Sequence, residues 1–271
     1  MKAVIVQPFY LPWIGYYGMI DQADSFVFAD NLQFVKKSWQ RRNKIKTNNT
    51  PKWLSVPVVG KYRQNINEIV INYSMKWKHK NSFLNWKQNH WNSISNAYSK
   101  APYFDDYKDD IKEIYSNDSK MLSDFDIYTV EKISELLGLN IPEFIRSSDM
   151  DNAEGKKVDF ILNVCNELGA DEYISGPAAK NYIDYNAFQK FKQDKVELFW
   201  FEYSHPVYPQ IGNEFLPYLS IIDLLFNTGE KARDYIRQGL DNCLQIEDGH
   251  TLKNEGEITR PIELKNTTLT K

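Results

Sequence analysis

The chain has few of the residues that staple small secreted proteins or bind metals. It contains two cysteines and four histidines among 271 residues. Both cysteines, Cys165 and Cys243, lie in amphipathic helical patterns, which favour buried thiols in a reducing cytoplasm over a disulfide or a metal site. The four histidines are scattered, and their spacing does not match a metal site. We therefore expect no disulfide framework and no bound metal.

Long apolar runs and excess positive charge are also absent. No apolar run approaches the roughly 20 residues needed to cross a bilayer, which predicts no membrane span. The charged start precedes only a short apolar run, so we expect no secretory leader and a cytoplasmic protein. The net charge of −3 gives no support for nucleic-acid binding. The basic, aromatic residues 76–91 precede an acidic stretch at 105–110, which favours a solvated helical face over a nucleic-acid surface.

Aromatic residues are abundant, at 14% of the chain with seven Trp and seventeen Tyr. A cleft that stacks a sugar or a base would use such residues, and an aromatic-rich core would explain many of them as well. The composition leaves these two interpretations open.

Short apolar runs alternate with helical patterns along the chain, which is typical of a parallel sheet. We predict an α/β fold with a mostly parallel Rossmann-like sheet, helices on both faces and a helical insertion. One domain would span residues 1–245, with 76–138 as a mainly helical insertion or cap and 246–271 as a polar tail. The predicted strands are 2–6, 25–29, 53–58, 142–146, 172–175 and 196–202. The predicted helices outside the insertion are 14–23, 155–169, 178–193, 215–227 and 229–239.

The loop after the first predicted strand is the leading candidate for part of a site, because ligands of open α/β sheets lie beyond the carboxyl ends of the strands. It offers Gln7, Tyr10 and Trp13 as substrate-binding residues. Pro8 and Pro12 restrict its backbone. Gly15 and Gly18 permit close approach of a ligand phosphate or of a neighbouring element. A packed aromatic corner is the alternative.

Three later segments also follow predicted strands. In the first, Asp30 is a candidate catalytic carboxylate beside a cationic stretch that contains Arg42 and Asn43, a combination that suits an anionic ligand. In the second, Ser175 and Gly176 open a strand–helix turn whose free amides and nearby Lys180 form a candidate anion site.

The third segment contains His205, which follows a strand and is the best-placed candidate for a general base. The other histidines are expected to be peripheral. Tyr208 and Gln210 follow His205 as candidate substrate-binding residues. Asp223 interrupts a strongly apolar helix, so it must be either a structural hub or a ligand of the site.

Taken together, these segments resemble the WbqC-like protein family. The resemblance rests on seven stretches in the right order: Gln7–Tyr16, Asp21–Asp24, Asp30–Phe34, Trp39–Ile45, Trp53–Val58, Tyr173–Ala178 and Tyr208–Gly229. It implies a role in making bacterial surface polysaccharides such as O-antigen, beside enzymes that handle nucleotide-linked sugars.

From the resemblance and the residues we expect an enzyme that transfers an acyl or aminoacyl group to a nucleotide-linked amino sugar. His205 would be the base, Gln7 and Asn43 would position substrate, and Arg42 and Lys180 would bind phosphate. The partners would be the sugar nucleotide and an acyl or aminoacyl donor. A nucleotidyltransferase-like enzyme and a non-catalytic partner of glycan enzymes are the alternatives. The sequence identifies no cofactor and leaves open whether the protein forms an oligomer.

Overall fold

The computed structural model describes residues 1–60, 63–79, 82–176, 179, 182–240 and 244–245. Its strands, in chain order, are β1 (Lys2–Val6), β2 (Ser25–Phe28), β3 (Arg42–Thr47), β4 (Thr50–Ser55), β5 (Val58–Val59), β6 (Val70–Ile71), β7 (Trp77–His79), β8 (Ser82–Leu84), β9 (Glu143–Arg146), β10 (Glu172–Ser175), β11 (Glu197–Trp200) and β12 (Leu244–Gln245). Its α-helices are α1 (Ile14–Gln22), α2 (Trp86–Tyr98), α3 (Phe104–Ile114), α4 (Leu122–Leu136), α5 (Val158–Leu168), α6 (Tyr185–Gln193), α7 (Ile221–Thr228) and α8 (Ala232–Gln238).

A six-stranded sheet forms the centre, in the order β12-β11-β10-β1-β2-β9. All its neighbouring strands are parallel except the edge strand β12, which is antiparallel to β11. The chain first builds outward from β1 through β2 to β9, then returns to the other side of β1 with β10. The order therefore reverses between β1 and β10, which is where ligands bind in doubly wound sheets. The predicted Rossmann-like fold is confirmed.

Helices cover both faces of this sheet because its strands are apolar on both sides. In β1, Val4 packs into one core with α1, α4 and α7. Its neighbours Ala3 and Ile5 pack into a second core with α5 and α6. Successive side chains of a strand point to opposite faces, so a near-continuous apolar run feeds two cores at once.

Residues 53–58 were expected to be a strand of the main sheet, and this prediction is wrong. Residues 53–55 belong to β4, which forms an antiparallel hairpin with β3 in which Lys44 lies opposite Trp53, and Val58 belongs to the separate strand β5. Arg42 and Asn43 consequently lie on a strand and not in a basic loop. The apolar run at 53–58 is short, and a run of this length does not reveal its partner strand.

The predicted helical insertion begins later than expected. The strands β7 and β8, at Trp77–His79 and Ser82–Leu84, pair antiparallel, and the helices α2, α3 and α4 follow from Trp86 onward. The helices predicted at 178–193 and 215–227 also begin later, at Tyr185 and Ile221. The predicted tail at 246–271 lies outside the described residues. None of the described helices is long and apolar enough to cross a membrane.

Candidate functional site

Several predicted segments meet beyond the carboxyl edge of the sheet. The amide of Tyr10 donates to the carbonyl of Trp39 at 3.0 Å, which joins the loop after β1 to the turn before β3. The ring of Trp13 lies parallel to that of His205, with 6.3 Å between centroids. The loops after β1 and β11 and the turn before β3 are therefore in direct contact.

Gln7, the first residue after β1, is held by a second glutamine. Its Oε1 accepts a hydrogen bond from Gln40 Nε2 at 2.9 Å, and Gln40 is itself completely buried. This bond leaves the Nε2 donors of the half-buried Gln7 without a partner among the described residues. The amide of Gln7 thus stands at the point where the strand order reverses, with donors available to a ligand.

Trp13 explains one of the two glycines that follow it. A Cβ added to Gly15 would come within 2.3–2.8 Å of the indole of Trp13, so that ring needs a glycine beneath it. At Gly18, the nearest atoms to an added Cβ belong to Leu240 and Tyr203, at 3.0 and 3.1 Å. In this structure, both glycines make room for neighbouring side chains.

Both ring nitrogens of His205 are occupied by the backbone. Nδ1 lies 2.9 Å from the carbonyl of Pro206, and Nε2 accepts from the amide of Tyr218 at 3.1 Å. These partners fix the neutral tautomer that carries its proton on Nδ1. Burial lowers the pKa of His205, so the ring stays neutral at pH 7. The lone pair of Nε2, which a general base would use, already accepts the hydrogen bond from the amide of Tyr218. The role of His205 as general base stays a prediction.

A polar network surrounds Asp223, and one of its members, Tyr208, stacks on the ring of His205. Asp223 is fully buried on α7. Its Oδ1 accepts from the hydroxyl of Tyr98 at 2.9 Å, and its Oδ2 accepts from the hydroxyl of Tyr208 and from Gln210 Nε2, both at 2.8 Å. Lys46 joins the network through a bond from Nζ to Gln210 Oε1 at 3.2 Å. The two predicted residues Tyr208 and Gln210 are thus brought together on one carboxylate.

The Asp223 network borders a surface cavity of about 460 Å³. Most side chains that line the cavity are polar amides, hydroxyls or amines; the full lining is Lys46, Asn48, Asn49, Asn96, Ala97, Tyr98, Ser99, Lys100, Ile211 and Gly212. Lys46 and Tyr98 belong to both the cavity wall and the network. Hydrogen-bonding groups of this kind suit a sugar or another polar small molecule.

Burial raises the pKa of Asp223 to about 6, although hydrogen bonds from Tyr208 and Tyr98 and the charge of Lys46 favour the ionised form. The carboxyl group can therefore exchange a proton near neutral pH, which an acid–base catalyst requires. Burial raises the pKa of Tyr98 well above its ordinary value, so its hydroxyl stays protonated. Tyr98 stands between the cavity and the carboxylate.

Three of the predicted site residues, Asp30, Asn43 and Tyr10, are buried and make hydrogen bonds within the protein. The fully buried Asp30 accepts from Ser147 Oγ and from the amide and Oγ of Ser148, which joins the end of β2 to the turn after β9. Asn43 Nδ2 donates to the carbonyl of Leu11. Neither these side chains nor Tyr10 line the cavity, and their predicted catalytic and binding roles are not tested by this arrangement.

Tyr10 belongs to a second buried polar cluster. Its hydroxyl contacts His90 Nδ1 at 2.8 Å and the hydroxyl of Tyr115 at 2.6 Å. Trp86 and Phe125 pack edge-on against each other beside this group, and Trp86 also packs against His90. His90 was expected to be peripheral, and this is wrong, since it is only 2% exposed. Burial lowers its pKa to about 3.

Ser175 and Gly176 lie at the end of β10, beside β1. Ser175 is buried, and its carbonyl accepts from the amide of Phe201 at 2.9 Å. Lys180 lies outside the described residues. Arg42 lies on β3 with its guanidinium 4.3 Å above the ring of Trp53. Cys165 is a buried free thiol, as predicted, and Cys243 lies outside the described residues.

Sequence reasoning missed Lys46 and Tyr98. Alternating cations at Arg42, Lys44 and Lys46 are a strand signal that would have placed Lys46 beside the other two. No local pattern identifies Tyr98, because its partner Asp223 lies 125 residues further along the chain. Asp223 itself carries a signal, a carboxylate in an apolar helix.

Within the described part of the chain, no group of three or more His, Cys, Asp or Glu side chains could hold a metal ion. The chain is 34% identical over 240 residues to "Uncharacterized protein Rv1507c" of Mycobacterium tuberculosis (strain ATCC 25618 / H37Rv), which covers 87% of this chain and 97% of that protein. No solved structure matches the chain. Residues 7–235 match the WbqC-like protein family, a span that includes the loop after β1, the hairpin and the Asp223 network. The chain therefore belongs to the WbqC-like protein family.

Proposed function

We propose that this protein is an enzyme of bacterial surface-polysaccharide (O-antigen type) biosynthesis that transfers an acyl or aminoacyl group to the amine of a nucleotide-linked sugar. The observation that carries the proposal is the buried carboxyl group of Asp223, with a pKa of about 6, connected by Tyr98 to a polar cavity. The cavity would hold the amino sugar. An activated donor, such as a thioester or a mixed anhydride, would supply the acyl group.

The reaction needs a base because only the neutral amine attacks an acyl carbon. The sugar nitrogen forms a bond to that carbon while the bond from the carbon to the donor's leaving group breaks. The nitrogen loses a proton in this step. In our proposal that proton passes to the hydroxyl oxygen of Tyr98 while the proton of Tyr98 moves to Asp223 Oδ1, 2.9 Å away. A base with a pKa near 6 is largely ionised at pH 7 and ready to accept it.

Donors beside the cavity would stabilise the oxyanion that develops on the acyl group. The amides of Asn48, Asn49 and Asn96 line the cavity, and Lys46 contributes a positive charge at its wall. Preorganised donors and charges of this kind lower the barrier most when they face the position where charge develops. We assign this part of the catalysis to the amide-rich wall.

His205 is the competing candidate for the base. Its Nε2 could accept a proton only after the amide of Tyr218 moved away, because that amide occupies the lone pair at 3.1 Å. The hydroxyl oxygen of Tyr98 also accepts from a backbone amide, that of Lys46 at 3.1 Å, but a hydroxyl oxygen has a second lone pair, and in our proposal that lone pair takes the proton. We therefore assign the proton transfer to Asp223 and keep His205 as the alternative that the experiment below separates.

The experiment incubates the purified protein with a panel of nucleotide-linked amino sugars and of acyl and aminoacyl donors, and follows the products by mass spectrometry. We expect one sugar nucleotide to gain the mass of an acyl group, at a rate whose pH profile rises through about pH 6. Tyr98→Phe should abolish most of this rate, whereas Tyr115→Phe, which changes a buried tyrosine away from the cavity, should keep it.

Other products would contradict the proposal. Release of pyrophosphate from a nucleoside triphosphate would indicate a nucleotidyltransferase. Absence of any new product, combined with binding to another glycan enzyme, would indicate a non-catalytic partner. A rate that survives Asp223→Asn but not His205→Ala would move the base to His205.

A further inference from the structure

Two exposed tryptophans and two cations share one face of the β3–β4 hairpin. Trp39 and Trp53 are each 42% exposed, and their ring centroids lie 5.4 Å apart. Lys44 Nζ lies 4.9 Å from the ring of Trp53 and 5.9 Å from that of Trp39. With the guanidinium of Arg42 stacked over Trp53, these four side chains form what we call the tryptophan–cation face. A patch of two adjacent, partly exposed indoles is unfavourable in water and is typical of a binding surface.

The positive charge of this face is not neutralised within the protein. In the described ranges, no carboxylate forms an ion pair with Arg42 or Lys44. Arg42 Nε is buried and has no hydrogen-bond partner there either. The exposed Lys36 and Lys37 add charge in the turn before β3. Arg42 Nη2 donates to the carbonyl of Lys37 at 3.0 Å, which orients the guanidinium without neutralising it. A cluster of cations without a carboxylate partner favours an anionic ligand.

The face continues along the strand to the cavity. Alternate residues of a strand point to the same side, so Arg42, Lys44 and Lys46 follow one another on one face of β3. At roughly 3.3 Å per residue, Arg42 and Lys46 are about 13 Å apart along the strand. Lys46 lines the cavity and contacts Gln210 of the Asp223 network. Along β3, Arg42 and Lys44, with Trp53 opposite Lys44, are thus followed by Lys46 and the polar cavity.

We propose that the tryptophan–cation face binds the nucleoside diphosphate portion of the substrate, with the base stacked on Trp39 and Trp53 and the phosphates beside Arg42 and Lys44. This proposal rests on the proposed function, because it places the linked sugar in the cavity. In a nucleotide-linked sugar the sugar is attached to the diphosphate, so a diphosphate bound beside Lys44 would direct the sugar toward Lys46 and the cavity, one alternate position further along β3. Indoles stack on the π-face of any base, whereas cations recognise phosphate.

Isothermal titration of the full chain with UDP, dTDP, GDP and ADP tests the proposal. We expect at least one of these probes to bind. Trp39→Ala should weaken its binding by about 5- to 150-fold, the range for loss of one base–aromatic stack. Trp39 is suited to this test because it lies in a turn, and the bond that it makes to Tyr10 uses its backbone carbonyl. Phe83→Ala is the matched control, since Phe83 is 69% exposed on another hairpin.

Inorganic pyrophosphate separates the two halves of the face. Lys44→Met should weaken both pyrophosphate and the nucleoside diphosphate, and the loss should shrink at high salt. Trp39→Ala should weaken only the nucleoside diphosphate. Lys132→Met, which removes an exposed lysine on α4, should change neither.

Two results would overturn this inference. One is the absence of binding by all four nucleoside diphosphates, and the other is unchanged affinity in both Trp39→Ala and Lys44→Met. The mass-spectrometric product assay described above tests the proposed acyl transfer separately. If Trp39→Ala and Lys44→Met both form acylated sugar nucleotide at the wild-type rate at subsaturating substrate, that result would support the proposed transfer and reject only the nucleotide subsite.

Discussion

Two buried polar clusters in this protein are built from similar parts and differ in what surrounds them. In the Asp223 network, tyrosine hydroxyls bond to a carboxylate. In the cluster around His90, tyrosine hydroxyls bond to an imidazole and to each other. Both ionisable groups are almost fully buried. The Asp223 network shares Lys46 and Tyr98 with a polar cavity, whereas in the described part of the chain aromatic rings pack around His90.

The comparison shows that burial and a shifted pKa do not by themselves indicate a catalytic group. Burial lowers the pKa of His90 to about 3, which keeps the imidazole neutral at any physiological pH. Burial raises that of Asp223 to about 6, close enough to neutrality for proton exchange. The difference predicts that one cluster serves chemistry and the other serves stability.

The largest expected effect is on activity. Asp223→Asn should lower kcat/KM by about 10²–10⁴-fold, the usual contribution of an acid–base catalyst. Asp126→Asn is the matched control, because Asp126 is also a fully buried aspartate, yet neither of its oxygens has a hydrogen-bond partner among the described residues and it does not line the cavity. Burial raises the pKa of Asp126 well above its ordinary value, which favours its neutral form. Equal activity in the two variants would remove Asp223 from the mechanism.

The second effect is on stability: the contributions of His90 and Asp223 to the free energy of unfolding depend on pH in opposite directions. Unfolded His90 gains a proton near pH 6.5 and folded His90 only near 3, so its contribution to the free energy of unfolding is present above 6.5 and is lost as pH falls toward 3. Over that interval the loss is about 5 kcal/mol. Folded Asp223 keeps its proton up to about pH 6 and releases it near 4 when unfolded, so its contribution, about 3 kcal/mol, is present below 4 and is lost as pH rises through 6.

Urea unfolding of the wild type, Asp223→Asn and His90→Gln between pH 4 and 6.5 measures how the free energy of unfolding of each protein depends on pH. Asp223→Asn should gain stability with rising pH more steeply than the wild type, because the opposing contribution is gone. His90→Gln should gain less, or lose stability as pH rises. Parallel pH dependences in all three would contradict both assignments, whatever the absolute stability of each variant.

A smaller effect concerns the tyrosines. Tyr10→Phe leaves His90 and Tyr115 without their shared partner in the interior and should lower the free energy of unfolding by about 1–3 kcal/mol. Tyr17→Phe is the control, since the hydroxyl of Tyr17 is buried with no hydrogen-bond partner in the described part of the chain and its removal should cost almost nothing. Activity per folded molecule should be unchanged in both. Loss of activity in a stable Tyr10→Phe protein would give the His90 cluster a functional role.

The smallest expected effect is at His205. His205→Ala removes two hydrogen bonds to the backbone and part of a stacked aromatic group. We expect a lower melting temperature and less than a tenfold change in kcat, measured on the same preparation. A loss of about 10²–10⁴-fold with unchanged stability would instead identify His205 as the general base.

The sequence predicted the elements whose signals are local. The apolar runs at 2–6, 25–29 and 172–175 identified strands of the main sheet. Gly138 and Gly169, which follow α4 and α5, have the left-handed backbone that glycine allows at the end of a helix. The candidate site was only partly predictable. Tyr208 and Gln210 lie near Asp223 in the chain, whereas Lys46 and Tyr98 reach it from a hairpin and a helix that no local pattern places beside α7.

Direct titration of the Asp223 carboxyl group, by NMR of protein labelled with ¹³C at aspartate carboxyl carbons, tests the central assignment without requiring a known substrate. One resonance should titrate with a pKa of about 6, should be missing from Asp223→Asn and should remain in Asp126→Asn. Tyr98→Phe should shift that pKa upward, because it removes a hydrogen bond that stabilises the ionised form. An Asp223 resonance that titrates near 4, or one that does not titrate between pH 4 and 8, would contradict an acid–base role for this carboxylate.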